Sequence, residues 1–103
     1  MAGRSSPRSV EFAPAAEAEY LEALRYYERE GRIGASFEAA VRRGVAMMLR
    51  HPEASPVVTS EGGRRRVLGR FPFSLYYTVE GDVVRIHAVA HQKRRPFYWA
   101  DRA

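Results

Sequence analysis

A chain of 103 residues with 46% apolar and 12% aromatic side chains can build one hydrophobic core, hiding roughly two-thirds of its unfolded surface, and no more. The absence of cysteine excludes a disulfide framework and cysteine-based zinc sites; the three histidines, His51, His87 and His91, have no carboxylate partner at helical spacing, so neither a metal nor another cofactor is expected. The formal charge of +5 is uneven, with 8 basic and 9 acidic side chains in residues 1–61 against 9 and 3 in residues 62–103, and the cationic half points to a polyanionic partner: RNA, DNA or an acidic protein.

The opening "MAGRSSPRS" has no apolar run, so it reads as neither signal peptide nor anchor. No stretch approaches the ~20 apolar residues of a membrane span. The reading expects a soluble, cytoplasmic protein: a disordered tip at residues 1–9, then one domain over 10–103.

"SVEFAP" alternates Val10 and Phe12 with polar neighbours and predicts a short strand. Pro14 suits the first turn of a helix, where its missing N–H costs nothing. "AAEAEYLEALRYYERE" follows with Ala13, Glu17, Tyr20, Leu24 and Tyr27 at steps of three or four, widened by Leu21. Glu19, Glu22, Arg25 and Arg29 lie mostly opposite, as on an amphipathic helix. "GRIG" interrupts it. A second helix is predicted from about Ala35 to Arg50, with Phe37, Ala40, Val41, Gly44 and Met48 on one face. Gly44 is expected to let the two helices approach closely. His51-Pro52 ends that helix, because Pro restricts the residue before it.

"EASPVVTSEGG" is a loop, and "RRRVLGR" a strand with basic outward positions. "FPFSLYYTV", "EGD" and "VVRIHAVAH" then make a β-hairpin with Gly81 in the turn. A Gly81-Asp82 turn pairs 79 with 84, 77 with 86, 75 with 88 and 73 with 90, apolar against apolar throughout. By subtraction the other face carries Ser74, Tyr76 and Thr78 beside Arg85, His87, Val89 and His91. The fold class is α+β in the order β-α-α-β-β-β: an N-terminal strand, a helical hairpin, and a three-stranded antiparallel meander.

The order and residues resemble the RelE/ParE family of toxins from bacterial type II toxin–antitoxin systems, which includes plasmid stabilisation proteins. The resemblance runs from Val10 to Trp99. It is most specific in "RRRVLGRFPFSLYYTVEGDVVRIHAVAHQKRRPFYW", with its Arg-Val-Leu strand, Phe-Pro-Phe opening, Glu-Gly-Asp turn, and Ala-Val-X-His ending near Arg-Pro. It implies growth arrest relieved by a cognate antitoxin whose partly disordered segment wraps the toxin. It leaves two targets open. ParE-like members act on DNA gyrase; RelE-like members enter the ribosome and cut mRNA.

Metal-free RNA cleavage needs a base, an acid and cations at one phosphate. If the chain is RelE-like, His91 serves as base or acid, Arg94 steadies charge, and Tyr98 gives a proton or stacks on a base. Arg64, Arg66, Arg70 and Arg95 could clamp phosphate, with Arg85 and Lys93 adding charge for a nucleic acid or another target. Plain structural uses stand beside these: a histidine ending a strand, a solvated Arg-rich strand, and Phe97 and Trp99 as a clasp closing the core. An Arg preference could itself come from coding bias, though the asymmetry between halves could not. Ser74 stands where ribosome-dependent members commonly place an Arg, and Lys93 is alone where they are Lys-rich, so the ParE-like reading leads. A non-enzymatic nucleic-acid-binding module is the reading from another class, although neither a basic recognition helix nor an RRM-type stacking motif is present.

Overall fold

The computed structural model describes residues 9–102. Of the tip expected over residues 1–9, all but Ser9 lies outside the described residues, and Ser9 opens the first strand. The elements are β1 (Ser9–Phe12), α1 (Pro14–Glu30), α2 (Gly34–Arg50), β2 (Arg64–Val67), β3 (Phe73–Glu80) and β4 (Val83–His91), closed by a 3-10 turn at Ala100–Arg102. They form one four-stranded sheet in the order β1-β4-β3-β2, with the helical hairpin on one face. β2, β3 and β4 are antiparallel neighbours as predicted, and β1 joins the far side of β4 in parallel.

Pro14 starts α1 at its first turn, and the Glu17 N–H closes back on the Ala13 carbonyl at 2.9 Å. Ala16 and Ala23 are buried, with Tyr20, Leu24 and Tyr27 half-buried beside them. Leu21, predicted to widen this stripe, is 39% exposed. α2 buries Phe37, Ala40, Val41, Gly44 and Met48 as its spacing predicts. Phe37 is the hub of the aromatic half of the core, its ring 5.1 to 5.9 Å from those of Tyr20, Tyr27, Phe71 and Phe73. Burying such a side chain contributes about 3 kcal/mol, and edge-on ring pairs add about 1 kcal/mol each.

Gly44 does serve a close approach, but to the sheet rather than to α1. A Cβ there would stand 3.3 Å from Leu68 and 3.4 Å from Leu75. The missing side chain therefore sets how tightly α2 seats on β3.

The hairpin corrects the predicted register halfway along. Gly81 takes φ 62° in the turn, a left-handed conformation suited to glycine. Val79 pairs with Val84 and Tyr77 with Ile86, as predicted. The ladder then slips: Tyr76 pairs with Ala88, Leu75 with Val89 and Phe73 with His91. His87 is the extra residue, a β-bulge that leaves it and Ala88 on the same side. Val89 therefore turns into the core, at 2% exposure, instead of joining the outer face. His91 likewise moves to the helix side, its ring 5.0 Å edge-on from Phe73. The same pairing logic sends Arg64 and Arg66, opposite Tyr77 and Leu75, to the helix side, and puts Arg65, opposite Tyr76, on the outer face.

Candidate functional site

After β4 the chain turns back across the outer face of the sheet. The Gln92 N–H donates to the Pro72 carbonyl at 2.8 Å, and the Arg94 N–H to the His91 carbonyl at 3.0 Å. Trp99 then lands on Tyr76, ring centres 4.3 Å apart, and is 2% exposed. Phe97, expected to share that clasp, stays 52% exposed and takes φ 61°. Between the returning tail and the sheet lies a groove of about 350 Å³. β2 contributes Arg65 and Val67, β3 Ser74 and Tyr76, and β4 Ala90 and His91. The tail adds Gln92, Arg94, Arg95, Pro96 and the three aromatic residues Phe97, Tyr98 and Trp99. The surface is cationic and aromatic, built from three strands and one tail.

Of the residues singled out from sequence, Arg94, Arg95 and Tyr98 meet at this groove; His91 also lines it, although its ring lies against Phe73 on the helix side. The others do not. Arg64 donates to the Ser55 carbonyl at 2.6 Å and the Glu53 carbonyl at 3.2 Å, tying the 51–63 loop to β2. Arg66 lies on the helix side, near the position a Gly44 side chain would occupy. Arg70 is exposed in the β2–β3 connection. Arg85 reaches across to β1 and pairs with Glu11 at 2.7 Å. Lys93 is exposed in the turn after β4. Arg65, which alternates to the face opposite Arg64 and Arg66, is the β2 cation in the groove.

Tyr98 is held from behind by α1. Its hydroxyl donates to Glu19 Oε2 at 2.7 Å. Glu19 also accepts the Val89 N–H at 3.0 Å, and two bonds of 3.1 Å each from the Arg102 guanidinium. Arg102 in turn donates to the His87 carbonyl at 3.2 Å. β1 pairs with β4 only from Val83 to Ile86, so past Ile86 this edge of β4 meets these two side chains instead of a strand. Sequence reading placed Glu19 on the solvated side of α1. Its partners lie 70 to 83 residues away, beyond any local spacing rule. The one available signal was a polar pair, Tyr98 and Arg102, within an otherwise apolar clasp.

This arrangement changes what each candidate can do. Burial first, and then the hydrogen bond to Glu19, push the Tyr98 hydroxyl well above the usual phenol range, so it keeps its proton. Arg94 lies over the Tyr98 ring, 3.8 Å from its centre, a stacked cation whose hydrogen-bonding edge remains available. His91 Nδ1 accepts the Lys93 N–H at 3.0 Å, so in the neutral ring the proton sits on Nε2. The groove thus offers oriented cations and aromatic faces. It does not present a matched acid and base. Among the described residues no group of three His, Asp or Glu side chains is placed to hold a metal ion, and no helix is long and apolar enough to cross a membrane.

Over residues 10–96 the sequence matches the family described as the ParE toxin of the type II toxin–antitoxin system, parDE. No curated protein matches it in sequence. Among solved structures, a chromosomal ParDE toxin–antitoxin system from P. aeruginosa has a chain of similar fold, with a TM-score of 0.69 at 20% identity, covering 84% of this chain and 98% of that one.

Proposed function

The chain belongs to the ParE toxin family of type II toxin–antitoxin systems, and from that membership we propose that it arrests growth by acting on DNA gyrase and is silenced by a cognate antitoxin. The observation that carries the choice of target is the Tyr98–Glu19 hydrogen bond at 2.7 Å. It ties the Tyr98 hydroxyl proton to Glu19, while the bulge turns the His91 ring against Phe73 on the helix side of the sheet. An endonuclease relying on these residues would need both at one phosphate. A binding toxin needs only a shaped, charged surface, and Arg65, Arg94 and Arg95 beside exposed Phe97 supply one. The antitoxin that fits is acidic, with an amphipathic segment covering the helical hairpin and charge matched to the groove.

Induction in cells tests both parts. Filamentation with DNA damage and intact mRNA is expected, relieved by co-expression of a small acidic protein if one is encoded beside it. Rapid loss of translation with cut mRNA would transfer the function to the ribosome-dependent reading, for which the unengaged Nε2 of His91 is the favourable feature. Arrest that the neighbour leaves unrelieved would remove the antitoxin from the proposal.

A further inference from the structure

The tail that walls the outer groove has no strand partner among the described residues, yet its path is specific. Phe97 stands at φ 61° while half of it remains exposed. A bulky residue rarely adopts that conformation, and little burial of its own offsets it. The path is therefore imposed by the anchors on either side. One is Trp99 against Tyr76; the other is the Glu19 carboxylate, which takes the Tyr98 hydroxyl and both terminal nitrogens of Arg102. The Glu19 and Arg102 side chains are 14% and 27% exposed, so solvent screens this pair less than an ordinary surface one. The contact reaches the groove through one more step, because the Tyr98 ring fixed by Glu19 is the platform on which Arg94 stacks.

We propose that Glu19, on α1 and outside the groove's lining, is a positioning residue: it latches residues 96–102 as a strap and so fixes where the groove presents its Arg94 cation. The proposal rests on the reading of that groove as the target-binding surface, and its test keeps the two apart.

Trp99 is the single tryptophan and reports directly on the strap. Glu19→Gln retains an acceptor for the Val89 N–H but loses the charge that holds Arg102. Hydrogen bonds to charged groups are worth enough for strap opening to rise roughly tenfold when that charge is lost. The expected result is red-shifted, more quenchable Trp99 emission and trypsin cleavage after Lys93 and Arg94 faster by about the same factor, with far-UV circular dichroism unchanged. Arg102→Gln, which leaves the tie between α1 and β4 intact, should reproduce this result, and carries the test alone if the Glu19 variant does not fold. The double variant should loosen the strap by less than the sum of the two single ones. Wild-type emission and cleavage in both single variants, or additive loosening in the double, would overturn the latch.

Growth arrest supplies the second readout. Arg65→Glu alters the opposite wall of the groove and removes none of the contacts that anchor the strap. If it leaves arrest intact, the groove is not the target surface and that reading fails, whatever Trp99 reports. If it abolishes arrest, a loosened Glu19→Gln strap should weaken arrest as well. Full arrest from a chain with a demonstrably loose strap would overturn the positioning role.

Discussion

His87 shows how much one side chain's surroundings decide. Thr78 Oγ1 donates to Glu80 Oε2 at 2.8 Å, so the 2.8 Å contact between Thr78 and His87 Nε2 is the ring N–H donating to the hydroxyl oxygen. That assigns the tautomer: Nδ1 is a bare lone pair, buried and without a partner among the described residues. Protonating it would place a charge and an unmatched N–H inside the protein. Burial accordingly pulls the His87 pKa below its ordinary 6.5, with Arg85 working in the same direction and Glu80 against it. In the unfolded chain the ring takes up its proton near 6.5, while the folded chain resists. Stability from this group is complete above pH 6.5 and declines as pH falls below that value toward the folded pKa. His87→Gln removes the titration and can still donate to Thr78. Melting temperature measured from pH 7.5 to 5 should therefore fall more steeply for the wild type than for the variant. Parallel curves would mean that His87 does not hold its neutral form.

At the scale of elements, the β-bulge decides which side of β4 feeds the core. Val89 is packed with Leu75, Tyr77 and Ile86, while Ala88 faces Tyr76 beneath the returning tail. Val89→Ala should destabilise by about 2 kcal/mol, as for other truncations in a packed core, measured by denaturant unfolding with an unchanged slope. It should leave Trp99 fluorescence alone, because Trp99 lies on the other face. A shift in Trp99 emission without loss of stability would restore the unbulged register. The difference between what could and could not be read has a physical basis here. Phe37, Ala40, Val41, Gly44 and Met48 recur on one face because a helix that covers a sheet is wet on its other side. The first half of the hairpin was legible for the same reason, with Arg85 between Val84 and Ile86 marking inside from outside. From Ala88 to Ala90 that contrast vanishes. Three apolar residues run together because both faces are covered, by the core on one side and the tail on the other, and alternation carries no information in a strand buried on both sides. The slip at His87 comes just before that silent stretch, and it misplaced every residue from Ala88 to His91 together. The face of Arg65 was lost in a similar way: β2 reads as three consecutive arginines, and only its pairing with Tyr76 shows which one faces outward.

Across the whole molecule, charge and apolar surface are placed differently, and this separates two kinds of binding. Part of the second half's charge gathers at one end of the outer face. Of its nine cations, Arg64, Arg85 and Arg102 have carbonyl or carboxylate partners, Arg66, Arg70 and Lys93 lie away from the groove, and Arg65, Arg94 and Arg95 line it. The helical side offers a shallower recess of about 300 Å³ between β1 and the two helices, floored by Val10, Phe12, Tyr20, Val41 and Val45, where Glu17 and Glu38 outnumber Arg42. An acidic partner held by the groove is held through exposed charges, and screening shortens their reach from about 10 Å at 0.1 M salt to about 3 Å at 1 M. A partner held by the helical recess buries apolar area and feels little of that change. Affinity for the antitoxin, measured by calorimetry from 50 to 500 mM salt, should therefore fall by roughly tenfold or more if the groove shares in binding. Arg65→Ser with Arg95→Ser should flatten that dependence, mostly by removing the low-salt advantage. If the two-site variant and the wild type show the same slope, the antitoxin binds away from the groove. A target could then reach the groove while the antitoxin is bound, and neutralisation would have to act through the helical face instead of by covering the cations.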